Sequence, residues 1–302
     1  MKPSTNERVP ATGRLRNPEL HTEYFEIDSA HMGARFAIGV SLPAAYRTTD
    51  VKYPALYATD GNVFGPIAEA VKGEFEVFDA VVPIEPFLQI NIGFTEEQTP
   101  QTNTLRQTNL VLPGSTIPDF MDAHVRKRLG AEAVATFREL YTTSKADHFL
   151  AFIEKELHPE ICRRYRVQAD AVGLFGYSAG GLFSLYAMTS GSQVFTRYGA
   201  ASAGAFAEDS QVFGLYEQLL QRTAGTERKT HLHLSINAKE LFGPVRLYRM
   251  NMINLLRFHD AMVERPMPGL QITTEILPNE SHSSGWLDAY RSFVRACYRK
   301  PS

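Results

Sequence analysis

Ser178 lies in Gly176-Tyr177-Ser178-Ala179-Gly180, a G-x-S-x-G pattern preceded by the apolar run AVGLFG and followed by GLFSLYAM. That setting predicts a strand passing through a tight turn into a helix, which lifts a serine hydroxyl clear of a sheet. Small residues two places before and after the serine let strand and helix approach closely. A free hydroxyl is a weak nucleophile at neutral pH, so a general base is required. With the chain order serine, acid, histidine, the base is expected late, in a loop after a strand. Four histidines follow Ser178. His231 and His233 fall in the strand pattern HLHLSIN with no third metal ligand evident, and His259 falls in a helical pattern beside Asp260. His282 sits in the polar loop LPNESHSSGW, between the strand LQITTEIL and the last helix, and is the expected base.

The acid is expected just past the preceding strand. Glu240 stands three residues beyond Asn237, where HLHLSIN ends, and the gaps on either side each leave room for a helix–strand unit. Its rivals, Asp260 and Glu264, fall late in a helical pattern. An acid at Glu240 would hold the imidazole in the working tautomer and stabilise its charged form. The oxyanion donors are expected to be the Ala179 N–H and an N–H of Gly61 or Asn62, in the turn TDGN after the strand YPALYAT. Asp60 reads as a brace for that turn. Tyr177, Arg106 and Trp286 are candidate substrate contacts, with Leu110, Val111, Ile117 and Phe120 as further pocket or core positions. Together these residues describe acyl transfer through an acyl-enzyme on Ser178. With water as acceptor the reaction is hydrolysis of a carboxylic ester or lactone, and with another acceptor or an amide it is acyl transfer or amide hydrolysis. No metal or organic cofactor is called for. A non-catalytic binding module would have no need of all three groups.

The elements that must position this set alternate strand and helix, which predicts an α/β fold with a mostly parallel central sheet and helices on both faces. TEYFEID and ARFAIGVSLP read as an antiparallel opening hairpin. Strands are then expected at 53–59, 86–94, 171–176, 198–204, 231–237 and 270–277, with a helix from Pro66 to Phe78. DHFLAFIEKELHPEICRRY, VRLYRMNMINLLRFHDAMV and WLDAYRSFVRACY carry apolar residues at helical spacing. Residues 95–145 interrupt the alternation. They read as a cap inserted over one end of the sheet, polar in the first half and helical in the second.

The 302-residue chain, 44% hydrophobic with a formal charge of −2, suits one large domain over 21–302 preceded by an N-terminal arm over 1–20. The near-neutral charge gives no case for nucleic acid or an anionic membrane surface. Cys162 and Cys297 do not form a disulfide framework or a metal spacing, and read as two reduced, half-buried thiols. The N-terminus lacks an apolar signal region, and no apolar run reaches the roughly 18 residues of a membrane span. A cytoplasmic protein acting on a small-molecule ester is expected, with an arm compatible with a homodimer.

YPALYATDGNVF, the elbow, INAKE and the late ESH together resemble the esterase family of α/β-hydrolases that includes bacterial siderophore esterases of the enterobactin and bacillibactin type. The resemblance spans roughly residues 20–300. It implies an α/β-hydrolase fold with Ser178 as nucleophile, Glu240 as acid and His282 as base. The family usually carries Gly where this chain has Asn237, and an Arg-x-Arg-Asp-like segment where LRQTNLVLPG keeps Arg106 without the Asp. These departures bear on the substrate more than on the chemistry.

Overall fold

A computed structural model describes residues 21–78, 83–115, 117–225 and 227–300. The arm expected over 1–20 lies outside the described residues. Among the described residues eight strands form one sheet: β1 (His21–Ser29), β2 (Ala34–Leu42), β3 (Tyr53–Ala58), β4 (Leu88–Phe94), β5 (Val167–Tyr177), β6 (Arg197–Ala201), β7 (Thr230–Asn237) and β8 (Leu270–Leu277). Their order is β1-β2-β4-β3-β5-β6-β7-β8. β1 pairs antiparallel with β2, and β2 with β4; every later pairing is parallel. The all-buried runs YPALYA and LQINIGF form the middle of the sheet, where both faces are covered, while the edge strand β8 is largely exposed.

The helices are α1 (Gly61–Phe78), α2 (Thr102–Leu110), α3 (Phe120–Leu129), α4 (Ala133–Thr142), α5 (Ala146–Phe152), α6 (His158–Arg164), α7 (Ala179–Thr189), α8 (Gln211–Arg222), α9 (Ala238–Leu241), α10 (Arg246–Glu264) and α11 (Trp286–Cys297). A π-helical turn, Ile153–Leu157, joins α5 to α6. One face of the sheet is covered by α1 and α11, whose Val71, Phe75, Tyr290 and Phe293 form one apolar cluster. The other face carries α5 to α8 and α10, packed through Phe152, Leu182, Tyr216 and Leu255. The architecture is that of an α/β-hydrolase. Among the described residues no helix is long and apolar enough to cross a membrane.

Three expectations are corrected. α1 begins at Gly61, five residues before the proline expected to open it, because the turn at Asp60 already sends the chain into the helix. The first half of the 95–145 segment is helical too: a short 3-10 turn over Glu96–Gln101 leads into α2. Buried Asn109 and Leu110 anchor α2, a tertiary contact that overrides its polar composition. Of the two thiols, both free, Cys297 is buried and Cys162 exposed, rather than both half-buried.

β3 has β4 on one side and β5 on the other, so the chain departs from it in opposite directions. Ligands of open α/β sheets bind at the carboxyl ends of strands at such a point. Asp60 and Ser178 follow β3 and β5 there.

Candidate active site

Ser178 takes φ 59° and ψ −122° between β5 and α7. That backbone is costly for a residue with a side chain, by roughly 1–3 kcal/mol, and persists only where the surroundings enforce it. Its N–H donates to the Ala201 carbonyl at 2.9 Å, and its carbonyl accepts from Leu182 at 3.1 Å and Gly204 at 2.8 Å. A methyl on Gly176 would overlap the Gly180 carbonyl oxygen, and one on Gly180 would overlap Thr59 Oγ1. The second contact brings the end of β3 directly against the elbow.

Asp60 also lies in the left-handed region, at φ 60°. Its carbonyl accepts from Val63 and Phe64, each at 3.0 Å, which starts α1. Its carboxylate takes Arg106 bidentately, Nε to Oδ1 at 2.5 Å and a terminal nitrogen to Oδ2 at 2.9 Å. The same guanidinium donates to the Tyr177 carbonyl at 3.1 Å. Arg106 therefore ties the β3–α1 turn to the residue before the candidate nucleophile. Asn62 secures the other side, donating to the Phe94 carbonyl at 2.8 Å and accepting from the Phe94 N–H at 2.6 Å. The Gly61 and Asn62 amides open α1 and the Ala179 amide opens α7, so each lacks a carbonyl one turn behind it. Two helix N-termini thus meet beside Ser178, and both favour negative charge.

Glu240, on α9, is 1% exposed. Its Oε2 lies 3.1 Å from His282 Nδ1. Its Oε1 accepts from Ser202 Oγ at 2.8 Å and from Asn237 Nδ2 at 2.6 Å. A buried carboxylate needs such donors to remain charged. The Asn237 amide also donates to the Tyr177 hydroxyl at 2.6 Å and to the Ser281 carbonyl at 3.1 Å. The rival acids lie on α10, where Asp260 is 74% exposed and set against His259 at 3.4 Å. His231 and His233 share the Thr273 hydroxyl at 2.9 Å each, and His233 Nε2 reaches Ser292 Oγ at 2.7 Å.

Tyr177 is buried, with its ring against His282 at 5.3 Å between centroids. Its hydroxyl donates to the His282 carbonyl at 2.8 Å. Burial, helped by the nearby Glu240 charge, pushes this phenol well above its ordinary range, so it stays a donor. Trp286 is buried in the α1–α11 apolar cluster that also holds Tyr177, stacked on Phe64 at 4.5 Å and on Tyr290 at 5.1 Å. The structure thus brings Ser178's neighbours, Glu240 and His282 to one place, with Tyr177 and Arg106 engaged as braces and Trp286 in the core. Three further residues join the site. Ser202 and Asn237 hold Glu240, and Tyr248 of α10 stacks on the His282 ring at 4.6 Å with the planes 14° apart. Asn237 stood out in the sequence as a departure from the family pattern. Nothing in the local sequence marked Ser202 or Tyr248.

A family model described as "Putative esterase" matches residues 29–238. Ferri-bacillibactin esterase BesA of Bacillus subtilis (strain 168) is 28% identical over 186 residues, 60% of this chain. The match spans 57% of the length of that relative. Among solved structures, the BES protein from Bacillus cereus superposes with a TM-score of 0.76 at 18% identity, covering 98% of this chain and 100% of that one. The siderophore hydrolase EstB from Aspergillus nidulans gives 0.74 at 20% identity, covering 96% and 99%. An IroE-like serine hydrolase from Shewanella oneidensis gives 0.69 at 19%, covering 92% and 80%. The model match over residues 29–238 places this chain in the esterase family so described, to which it belongs.

Proposed function

We propose that the protein hydrolyses a carboxylic ester through an acyl-enzyme on Ser178, with His282 as general base and Glu240 as its orienting acid. The observation that carries this reading is the buried Glu240 carboxylate on His282 Nδ1. With Nδ1–H held by Glu240, the free lone pair is on Nε2, where it accepts the serine proton. Ser178 Oγ attacks the ester carbonyl as His282 Nε2 takes that proton, and the carbonyl oxygen becomes an oxyanion. The Ala179 amide and those of Gly61 or Asn62 face this charge, and one such donor contributes about 3 kcal/mol in the transition state. Collapse of the intermediate expels the alcohol with the proton from His282. Water then attacks the acyl-enzyme, His282 again serving as base, and the carboxylic acid departs. The helices over 95–145 serve in this reading as a cap.

The experiment is labelling with a fluorophosphonate together with hydrolysis of short-chain and aryl 4-nitrophenyl esters, for wild type and Ser178→Ala. Wild type is expected to label and turn over, and the variant to do neither. A wild-type protein that neither labels nor hydrolyses any ester sinks the reading. Ester-linked siderophores, the class named for the relatives BesA and EstB, are the first natural esters to assay.

A further inference from the structure

We propose that Tyr248 is a positioning residue for the general base, fixing the plane of the His282 ring and so the direction in which Nε2 faces the Ser178 hydroxyl. The proposal rests on the esterase reading above. His282 stands in the turn between β8 and α11, outside the strand ladder and ahead of the helix. Its backbone is tied from the sheet. The Tyr177 hydroxyl donates to its carbonyl at 2.8 Å, and Asn237 Nδ2 donates to the Ser281 carbonyl at 3.1 Å. The ring needs holding separately. The torsion that turns an imidazole about its Cβ–Cγ bond is broad and roughly two-fold, so rotamer preference leaves the ring plane soft. The His282 side chain also keeps 24% of its surface exposed, so core packing does not immobilise it.

Two contacts divide that task. The Glu240 carboxylate, 3.1 Å from Nδ1, selects between the two ring orientations half a turn apart, because a flipped ring would present carbon to it. One hydrogen bond at one edge still lets the ring rock about that edge. The Tyr248 phenol lies 4.6 Å from the imidazole between centroids, with the planes 14° apart. A contact face to face fixes a plane. Tyr177 meets the same ring at 5.3 Å and a tilt of 44°, which is no parallel platform. Positive charge also develops on the imidazole as it takes the serine proton, and the face of an aromatic ring attracts a cation.

The platform is itself rigid. Tyr248 stands in the first turn of α10, a helix pinned to the core through Met252, Leu255, Phe258 and Met262. One turn after Tyr248, Met252 Sδ lies 4.0 Å from Ser202 Oγ, the hydroxyl that donates to Glu240. The same helix thus touches the holder of the acid and the face of the base. A ring free to rock would move Nε2, and a misplacement of about 1 Å at a reacting group can cost on the order of 100-fold in rate.

The test compares Tyr248→Phe, which keeps a ring, with Tyr248→Leu and Tyr248→Gln, which do not. On 4-nitrophenyl acetate and 4-nitrophenyl hexanoate alike, the leucine and glutamine variants should lose about tenfold in kcat with KM within about twofold. Tyr248→Phe should stay within about twofold of wild type, since the stack uses the ring and not the hydroxyl. The rate of fluorophosphonate labelling should fall by the same factor as kcat, because it reads activation of Ser178 without turnover. NMR of protein carrying isotopically labelled histidine reads the ring contact directly, with His282→Gln identifying the resonance. The phenol's ring current should shift the His282 Hε1 signal upfield in wild type and Tyr248→Phe, and the shift should vanish in the variants without a ring. Unchanged kcat in those variants, an equal loss in Tyr248→Phe, or a loss carried by KM on one ester overturns the proposal and leaves the esterase reading standing. A wild type that shows the upfield resonance but neither labels nor turns over rejects the esterase reading and retains Tyr248 as the platform of the His282 ring.

Discussion

Replacing Glu240 by Gln changes one oxygen to an NH2 group, and the surroundings dictate where that group must go. Asn237 Nδ2 carries only hydrogens, so the atom facing it, 2.6 Å away, has to be the amide oxygen. Ser202 Oγ, 2.8 Å from the same position, is satisfied by that oxygen as well. The new NH2 is then turned toward His282 Nδ1, at the 3.1 Å now held by a carboxylate oxygen. Two donors cannot share that contact, so the imidazole moves its proton to Nε2 and loses the lone pair that Ser178 needs. Loss of the working tautomer in a serine triad lowers kcat by about 10⁴, near 5.5 kcal/mol at 1.36 kcal/mol per decade. The fold should barely notice. Two of the three hydrogen bonds survive and the third re-forms in the reverse direction, and a change of about 1 kcal/mol moves Tm by only a few degrees in a chain of this size. The assay is ester turnover under saturating substrate, with thermal melting and fluorophosphonate labelling rate measured on the same preparations. A Glu240→Gln protein with more than a tenth of wild-type kcat refutes the reasoning. So does an equally large loss in Asp260→Asn or Glu264→Gln, since Asp260 is exposed and Glu264 ends α10.

Asn237→Leu keeps the branching and heavy-atom count of the side chain and removes the donor to Glu240 and to the Tyr177 hydroxyl; kcat should fall about tenfold, the worth of one charge-assisted hydrogen bond. An unchanged kcat would show that Ser202 alone holds the acid. Burial, with a smaller contribution from His231, depresses the pKa of His233 from 6.5 to about 4, so the folded protein holds it neutral. Between those values the unfolded chain binds the extra proton, and stability falls as pH drops from 6.5 toward 4, by about 3 kcal/mol for this group at 1.36 kcal/mol per unit. Urea unfolding at pH 7 and pH 4.5 measures it, with His233→Asn as control; the same pH dependence in both proteins would assign the loss elsewhere.

What was legible in the sequence follows from what each position depends on. Ser178, Glu240 and His282 each sit just past the end of a strand, and a strand end shows in the chain as apolar run, small or polar residue, helix. Chain order then gives each an expected role, and the structure brings two of the three, Glu240 and His282, into contact. Residues whose place depends on a partner from another segment were not legible in this way. Arg106 shows the difference. As one cation in the polar run TNTLRQTNL it reads as a group free to meet a substrate, but that run is α2, and α2 carries the guanidinium to Asp60 at 2.5 Å. Composition hid the helix, and with it the ion pair. Trp286 misleads by proximity along the chain. It is four residues from His282, yet the first turn of α11 buries its ring between Phe64 and Tyr290. Asn237 is the intermediate case. Its position at the end of β7 was visible, and its departure from the family glycine was visible too, but its use required the third dimension. Its amide fills the space between Glu240, the Tyr177 hydroxyl and the Ser281 carbonyl. A glycine there would leave Glu240 with Ser202 as its remaining neutral donor. Asn237 is therefore a second hold on the proposed acid at the end of β7.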